Sequence, residues 1–353
     1  MKKILSLLLV LTMSLGLASF ALAEEKGVEI ALITDLGTIN DKSFNQGSWE
    51  GVVKYAEEHD IAHQYFQPAG QGDDIYVEAI DTAVAAGAKV IVTPGFLFEP
   101  AVFVAQNKYE DVHFILIDGN PTNPDGEIVI NKNAVGILYA EEETGYLAGY
   151  AAVKDGYTNL GFMGGMAVPA VIRFGHGYIQ GIDDAAKELG IEEINVKYFY
   201  TGSFDATPEA QNRAASWYQS GVEVIFACGG SVGNSVMAAA EANDGKVIGV
   251  DNDQSSESET VITTSAKSLG ESVYQTLEKY YAGEFPGGQT LIFDAAINGV
   301  NLPMETSRFK TFSQADYDEI FAKIAAIEIE IDERFDIGVT EIEVEVVKVN
   351  EEI

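Results

Sequence analysis

The sequence predicts an α/β protein made of two doubly wound lobes. Three observations carry the prediction. Short, almost wholly apolar runs punctuate the chain, as do the strands of a sheet covered on both faces. Helical patterns separate these runs, which argues for parallel βαβ units. A weak internal repeat spans both halves. Residues 86–95 (AGAKVIVTPG) read like residues 220–229 (SGVEVIFACG) at an offset of 134, and residues 112–120 (VHFILIDGN) read like 246–253 (KVIGVDND) at nearly the same offset. In the first pair, each copy is a helix end, a glycine, a buried strand and a glycine turn. In the second pair, Asp118 and Asp251 close the strands.

Taken in order, residues 30–33 (IALI) form a strand, followed by a turn-rich polar segment and a helix that begins near Ser43. Phe44, Gly47, Ser48, Gly51, Val52, Tyr55 and Ala56 fall on one face of that helix, with the two glycines small enough for close approach to a sheet. Helical patterns cover 75–86 and 208–219, each ahead of one copy of the repeat. Further on, 269–282 reads as helix, 283–288 (GEFPGG) as a turn, 291–300 as strand and 315–326 as helix. Residues 327–349 alternate apolar and polar in part, are strongly acidic, and fit no definite element.

The composition bounds the function. Lys2 and Lys3, an apolar stretch over 4–17 and Ala21-Leu22-Ala23 before two glutamates read as a secretory signal peptide over residues 1–23. The protein is therefore expected to be exported, to a periplasm or a cell surface. No cysteine stands at the cleavage site, so a lipid tether is not expected. The single cysteine, Cys228, lies in an apolar strand and reads as a buried thiol. A net charge of −34 opposes binding to nucleic acid or anionic membrane.

The pattern of residues shows no catalytic set. There is no phosphate-binding loop and no nucleophile elbow, and the glycines at 161–165 (GFMGG) lack dinucleotide spacing. His59 and His63 are spaced for one helix face but have no further clear ligands nearby, so neither a metal nor any other cofactor is expected. One junction does concentrate chemistry. Asp35, Asn40, Asp41, Ser43, Phe44 and Asn45 crowd the carboxyl end of the first strand, where open α/β sheets hold ligands. An aromatic ring beside carboxylates and an amide suits a flat, hydroxylated small molecule. A loop with Asp41 or Ser43 capping the helix is the competing reading.

The stretch TDLGTINDKSFNQGSWEG at 34–51 closely resembles the opening signature of the BMP (basic membrane protein) family, substrate-binding proteins of ABC transporters that include the PnrA-type purine nucleoside receptors. The likeness continues at 145–149 (GYLAG), 161–165, 174–178 (FGHGY), 202–204 (GSF), 229–230 and 247–251 (VIGVD). The resemblance implies a type I periplasmic-binding-protein fold with a ligand cleft between two lobes: residues 24–132 with about 256–296 form one, and about 133–255 with about 297–353 the other.

It implies a non-enzymatic, monomeric receptor that takes a nucleoside, with a purine favoured, and delivers it to an ABC permease. A sugar or other small metabolite as ligand, or a sensor role toward a membrane receptor, are the alternatives. Carried over residue by residue, Asp35 and Phe44 resemble first-lobe ligand residues and Asp118 a carboxylate at a strand end. Phe204 resembles the second-lobe ring, Asp251 the carboxylate of the second lobe, and Lys267 the lysine near the last crossover. Asn45 and Gly229 resemble neighbours of that set. Phe226 is a rival for the second ring but lies inside a strand.

Overall fold

The computed structural model describes residues 27–352; the expected signal peptide lies outside the described residues. The elements run in chain order as β1 (Ile30–Ile33), α1 (Phe44–Glu58), β2 (His63–Phe66), α2 (Asp73–Ala85), β3 (Val90–Pro94), α3 (Glu99–Lys108), β4 (His113–Ile117) and β5 (Ala134–Tyr139). Then come α4 (Glu141–Lys154), β6 (Asn159–Gly164), α5 (Pro169–Leu189), β7 (Ile194–Tyr200), α6 (Pro208–Gln219), β8 (Val224–Cys228), α7 (Val232–Asn243), β9 (Lys246–Asp251) and β10 (Val261–Lys267). The chain ends with α8 (Leu269–Tyr281), β11 (Gln289–Phe293), β12 (Val300–Asn301), α9 (Gln314–Ala325) and β13 (Val347–Glu351).

These strands make two sheets, ordered β11-β5-β4-β3-β1-β2 and β12-β10-β9-β8-β6-β7-β13. Every pairing is parallel except that of β10 with β12. Five consecutive strands, β5-β4-β3-β1-β2 and β10-β9-β8-β6-β7, follow the same order in the two sheets, so the sequence repeat matches β3 with β8 and β4 with β9. Alternate residues of each strand enter opposite cores. Ile30 and Leu32 of β1 join the core that reaches α1 and α4, while Ala31 and Ile33 pack under α2 and α3. In the second sheet Met163, Ile225 and Val247 pack beneath α6 and α7. Burial on both faces is why these strands read as continuous apolar runs.

Two expected lobe boundaries are corrected. Residues 134–139, expected in the second lobe, form β5 and pair with β4 and β11 of the first sheet. Residues 261–267, expected in the first lobe, form β10 beside β9 of the second. The chain crosses between lobes after the fifth strand of each half, not before it, and crosses a third time between β11 and β12. Nothing in the residue types of an apolar strand names its neighbour. The unplaced acidic tail closes the second sheet as β13 on β7, and Asp183 of α5 anchors it by accepting from the amides of Glu345, Val346 and Val347.

The buried face of α1 is the one its period predicts, Phe44 itself being only half-buried. Its glycines, however, approach a helix and a loop rather than a sheet: Gly51 sits on the Gly270 backbone of α8, and Gly47 faces Asn252. The closest helix pair is α4 with α5. A Cβ at Gly145 or Gly149 would collide with the carbonyl oxygens of Phe174 or Tyr178, and one at Gly177 or Gly181 with those of Glu142 or Tyr146. Gly177→Val is therefore expected to pry the helices apart and to lower stability by about 3 kcal/mol, at the upper end of overpacking costs. A urea melt indistinguishable from that of the unsubstituted chain would contradict this reading of the helix contact.

Candidate functional site

The carboxyl ends of the parallel strands converge where the lobes face each other. Asp35 follows β1 by two residues, Gly95 follows β3, Asp118 follows β4 and Gly229 follows β8, while Asp251 and Lys267 are the last residues of β9 and β10. This is the crevice at which doubly wound sheets bind ligands. Asp118 (φ 56°) and Asp251 (φ 68°) both adopt the left-handed backbone region, an uncommon state for a residue with a Cβ. They occupy equivalent positions in the two halves, and each turns its carboxylate toward the interlobe space.

A cavity with an empty volume of about 860 Å³, open mouth included, lies between the lobes. The structure brings every sequence-predicted site residue to its wall: Asp35, Phe44, Asn45, Asp118, Phe204, Gly229, Asp251 and Lys267. Phe44 and Phe204 are half-buried, from opposite lobes. Phe226 is fully buried and packs edge-on against Phe162, so it is core. Cys228 also lines the cavity, and burial pushes its thiol well above its usual value.

Two polar groups of side chains divide the cavity wall. The first comes from the loop before α1. Asn45 Nδ2 donates to Asp35 Oδ1 and Asp41 Oδ2, both at 2.9 Å. Asp41 accepts from the amides of Ser43, Asn45 and Gln46, so Asp41 caps the helix. Ser43 makes no cap bond and instead donates from Oγ to Asp251 Oδ2 of the other lobe at 2.5 Å. Burial pushes the Asp35 carboxyl up to about 6, against the hydrogen bonds from Gly37 and Asn45.

The second group centres on Lys267, whose side chain is 2% exposed. Its ammonium lies 2.5 Å from Asp118 Oδ2, 3.1 Å from Glu141 Oε1 and 3.8 Å from Asp251 Oδ1. The rings of Phe44, Tyr139 and Phe174 stand 5.1–5.3 Å from it. Burial works against the charge, but the three carboxylates outweigh it and Lys267 stays protonated. Burial raises Asp118 to about 7, with the lysine opposing and Glu141 and Asp251 adding to the rise. Asp118 Oδ1 is buried without a hydrogen-bond partner. An unsatisfied buried carboxylate oxygen at a cavity wall is an acceptor awaiting a donor.

Sequence reasoning missed Phe174, Glu141 and Arg173. Phe174 sits among helix glycines and resembles a packing residue. Glu141 opens an acidic run, Glu141-Glu142-Glu143, that reads as a solvated helix start, and nothing in the sequence signals that it is fully buried. Arg173 carries no local mark either. Among the described residues no group of His, Cys, Asp and Glu is placed to hold a metal ion, and no helix is long and apolar enough to cross a membrane.

Comparison with known proteins matches residues 28–334 to the family described as ABC transporter substrate-binding protein PnrA-like (Bmp). The chain is 32% identical over 323 residues to the ABC transporter nucleoside-binding protein BmpA of Lactococcus lactis subsp. cremoris, covering 84% of this chain and 88% of that one. It is 28% identical over 332 residues to the CD4+ T-cell-stimulating antigen of Listeria monocytogenes, covering 88% and 89% of the two chains. In fold it is similar to a solute-binding protein of an ABC transporter system from Aeropyrum pernix K1, with a TM-score of 0.73 at 23% identity over 86% of this chain and 92% of that one.

Proposed function

The chain belongs to the Bmp family of PnrA-like ABC transporter substrate-binding proteins, and from that premise we propose that it binds a nucleoside, with a purine favoured, between its lobes and hands it to a membrane permease. Substrate-binding proteins of this kind act outside the cytoplasm on a small-molecule ligand. The observation that carries the nucleoside reading is the composition of the interlobe cavity wall, where Phe44 and Phe204 accompany the Asp118–Lys267–Asp251 cluster.

The chemistry follows from those groups. A flat base gains about 1–3 kcal/mol by stacking on an aromatic face, whichever base it is. Asp118 Oδ1 accepts from a ribose hydroxyl, and a charge-assisted bond of that kind is among the stronger ones. Lys267 donates to the ligand's acceptors while it offsets the carboxylates. Closure of the lobes over the ligand forms the surface that a permease distinguishes from the empty state. No residue of the site is assigned a catalytic part.

Calorimetric titration with adenosine, guanosine, inosine, cytidine and uridine tests this. Binding is expected for at least the purine nucleosides. A 5′-monophosphate is expected to bind about 100-fold more weakly or worse, because its phosphate meets Asp35, Asp118 and Asp251 and like-charge contacts cost several kcal/mol. Heat from none of the five nucleosides would sink the proposal. A co-purified sugar identified by mass spectrometry would replace the nucleoside with another ligand on the same fold.

A further inference from the structure

Lys267 is held by more than the ligand site. Glu141, the first residue of α4, is fully buried and uses its two carboxylate oxygens differently. Oε1 faces the Lys267 ammonium at 3.1 Å, while Oε2 accepts from Nε of Arg173 at 2.7 Å and lies 2.7 Å from its Nη2. Arg173 comes from α5, and its guanidinium lies 5.5 Å from the ring centre of Phe335 in the C-terminal segment. The neighbouring Glu142 is pushed up to about 8 by burial and by the Glu141 charge, and its Oε2 lies farther from the arginine, 3.8 Å from Nε. The order from cavity to outer surface is thus Asp118, Lys267, Glu141, Arg173.

We propose that Glu141 and Arg173 are the positioning residues of the ligand lysine: their ion pair fixes the Lys267 ammonium on Asp118 Oδ2 and so leaves Asp118 Oδ1 open to the bound molecule. A carboxylate whose second oxygen is already saturated by arginine offers the lysine one oxygen and no more. Without Arg173, Glu141 is an unpaired buried charge and draws the ammonium away from Asp118. Without the Glu141 charge, Lys267 has only Asp118 and the more distant Asp251 to neutralise and binds Asp118 more tightly. The two losses therefore act on Asp118 in opposite directions. The use of Asp118 Oδ1 by a hydroxylated ligand rests on the nucleoside reading; the positioning itself does not.

The groups facing Asp118 are Lys267 of β10, Glu141 of α4, Asp251 of β9, Arg173 of α5, Tyr139 of β5 and Cys228 of β8, with Asp35 across the cavity. Glu141 raises the Asp118 carboxyl, and Arg173, facing it as a cation, lowers it. The test is a carboxyl-carbon NMR titration of the ligand-free protein, with the Asp118 signal assigned by Asp118→Asn. Glu141→Gln is expected to move the Asp118 midpoint down, and Arg173→Met to move it up. Arg173→Lys, which keeps the charge, is expected to stay near the unsubstituted chain and serves where Arg173→Met does not fold.

With adenosine as probe, the loss of affinity as pH falls follows the same shifts. Its sign is fixed: a ligand that needs the ionised Asp118 binds fully above the free-protein midpoint and loses up to about tenfold per pH unit below it. A midpoint that does not move in Glu141→Gln or in Arg173→Met, or that moves the same way in both, overturns the proposal. An unsubstituted protein that ignores every nucleoside while its variants titrate as expected overturns only the nucleoside reading.

Discussion

Replacing Lys267 with methionine is expected to remove about 3–5 kcal/mol of stability at pH 8 and to abolish tight ligand binding. The ammonium is the cation shared by Asp118, Glu141 and Asp251, within 4 Å of a carboxylate oxygen of each. Replacing a whole buried ion cluster with apolar residues is often neutral, but removing one partner strands the others in a medium that solvates charge poorly. Arg173 then neutralises Glu141 alone. The remaining carboxyls, already raised in the native protein by burial, rise further, so the folded variant binds protons more tightly than its unfolded chain. Its stability therefore increases as pH falls, and the deficit relative to the unsubstituted protein is expected to shrink between pH 8 and pH 5. Urea melts at the two pH values measure this. Equal stability at pH 8 would mean that the lysine does not neutralise the cluster.

Phe204→Ala is expected to weaken nucleoside binding by about 1–3 kcal/mol, roughly 5- to 150-fold in Kd, with little change in stability. The ring belongs to the segment between β7 and α6 and is half-buried against the glycine backbone at Gly165, so its removal opens the cavity without hollowing a core. Phe44 is less suited to the same test. Its ring is 5.1 Å from Lys267 Nζ, and its helix carries the loop that holds Asp35 and Asp41, so its loss disturbs several contacts at once. Calorimetry on Phe204→Ala, with a melt to show an intact fold, separates stacking from packing. An unchanged Kd would remove the second ring from the binding account and leave the acidic cluster to carry it.

Much of the architecture was legible because it follows from local rules. Strands buried on both faces are mostly apolar, so β1, β3, β4, β8 and β9 stood out, and the repeat of β3–β4 in β8–β9 disclosed two lobes. The amphipathic period of α1 named its buried face apart from its half-exposed end. The polar loop after β1 announced a site because such loops stand at the carboxyl ends of strands. Lobe membership of β5 and β10 was misread, since pairing depends on which strand lies alongside and not on the strand's own residues. The tail was unplaced because only its contact with β7 and the hydrogen bonds that three of its amides donate to Asp183 make it a strand edge.

By itself, then, the sequence determined the strand-and-helix alternation, the duplication, and a set of acidic, aromatic and basic residues at strand ends. The tertiary structure alone decided that those residues share one cavity wall, that Glu141 and Glu142 of an acidic run are buried, and that Arg173 reaches them from a different helix. The physical reason is that hydrophobic pattern and turn chemistry act over a few residues. The cost of burying a charge is set by whatever the fold brings within a few ångströms of it, and for Lys267 that means residues 16 to 149 positions away in the chain.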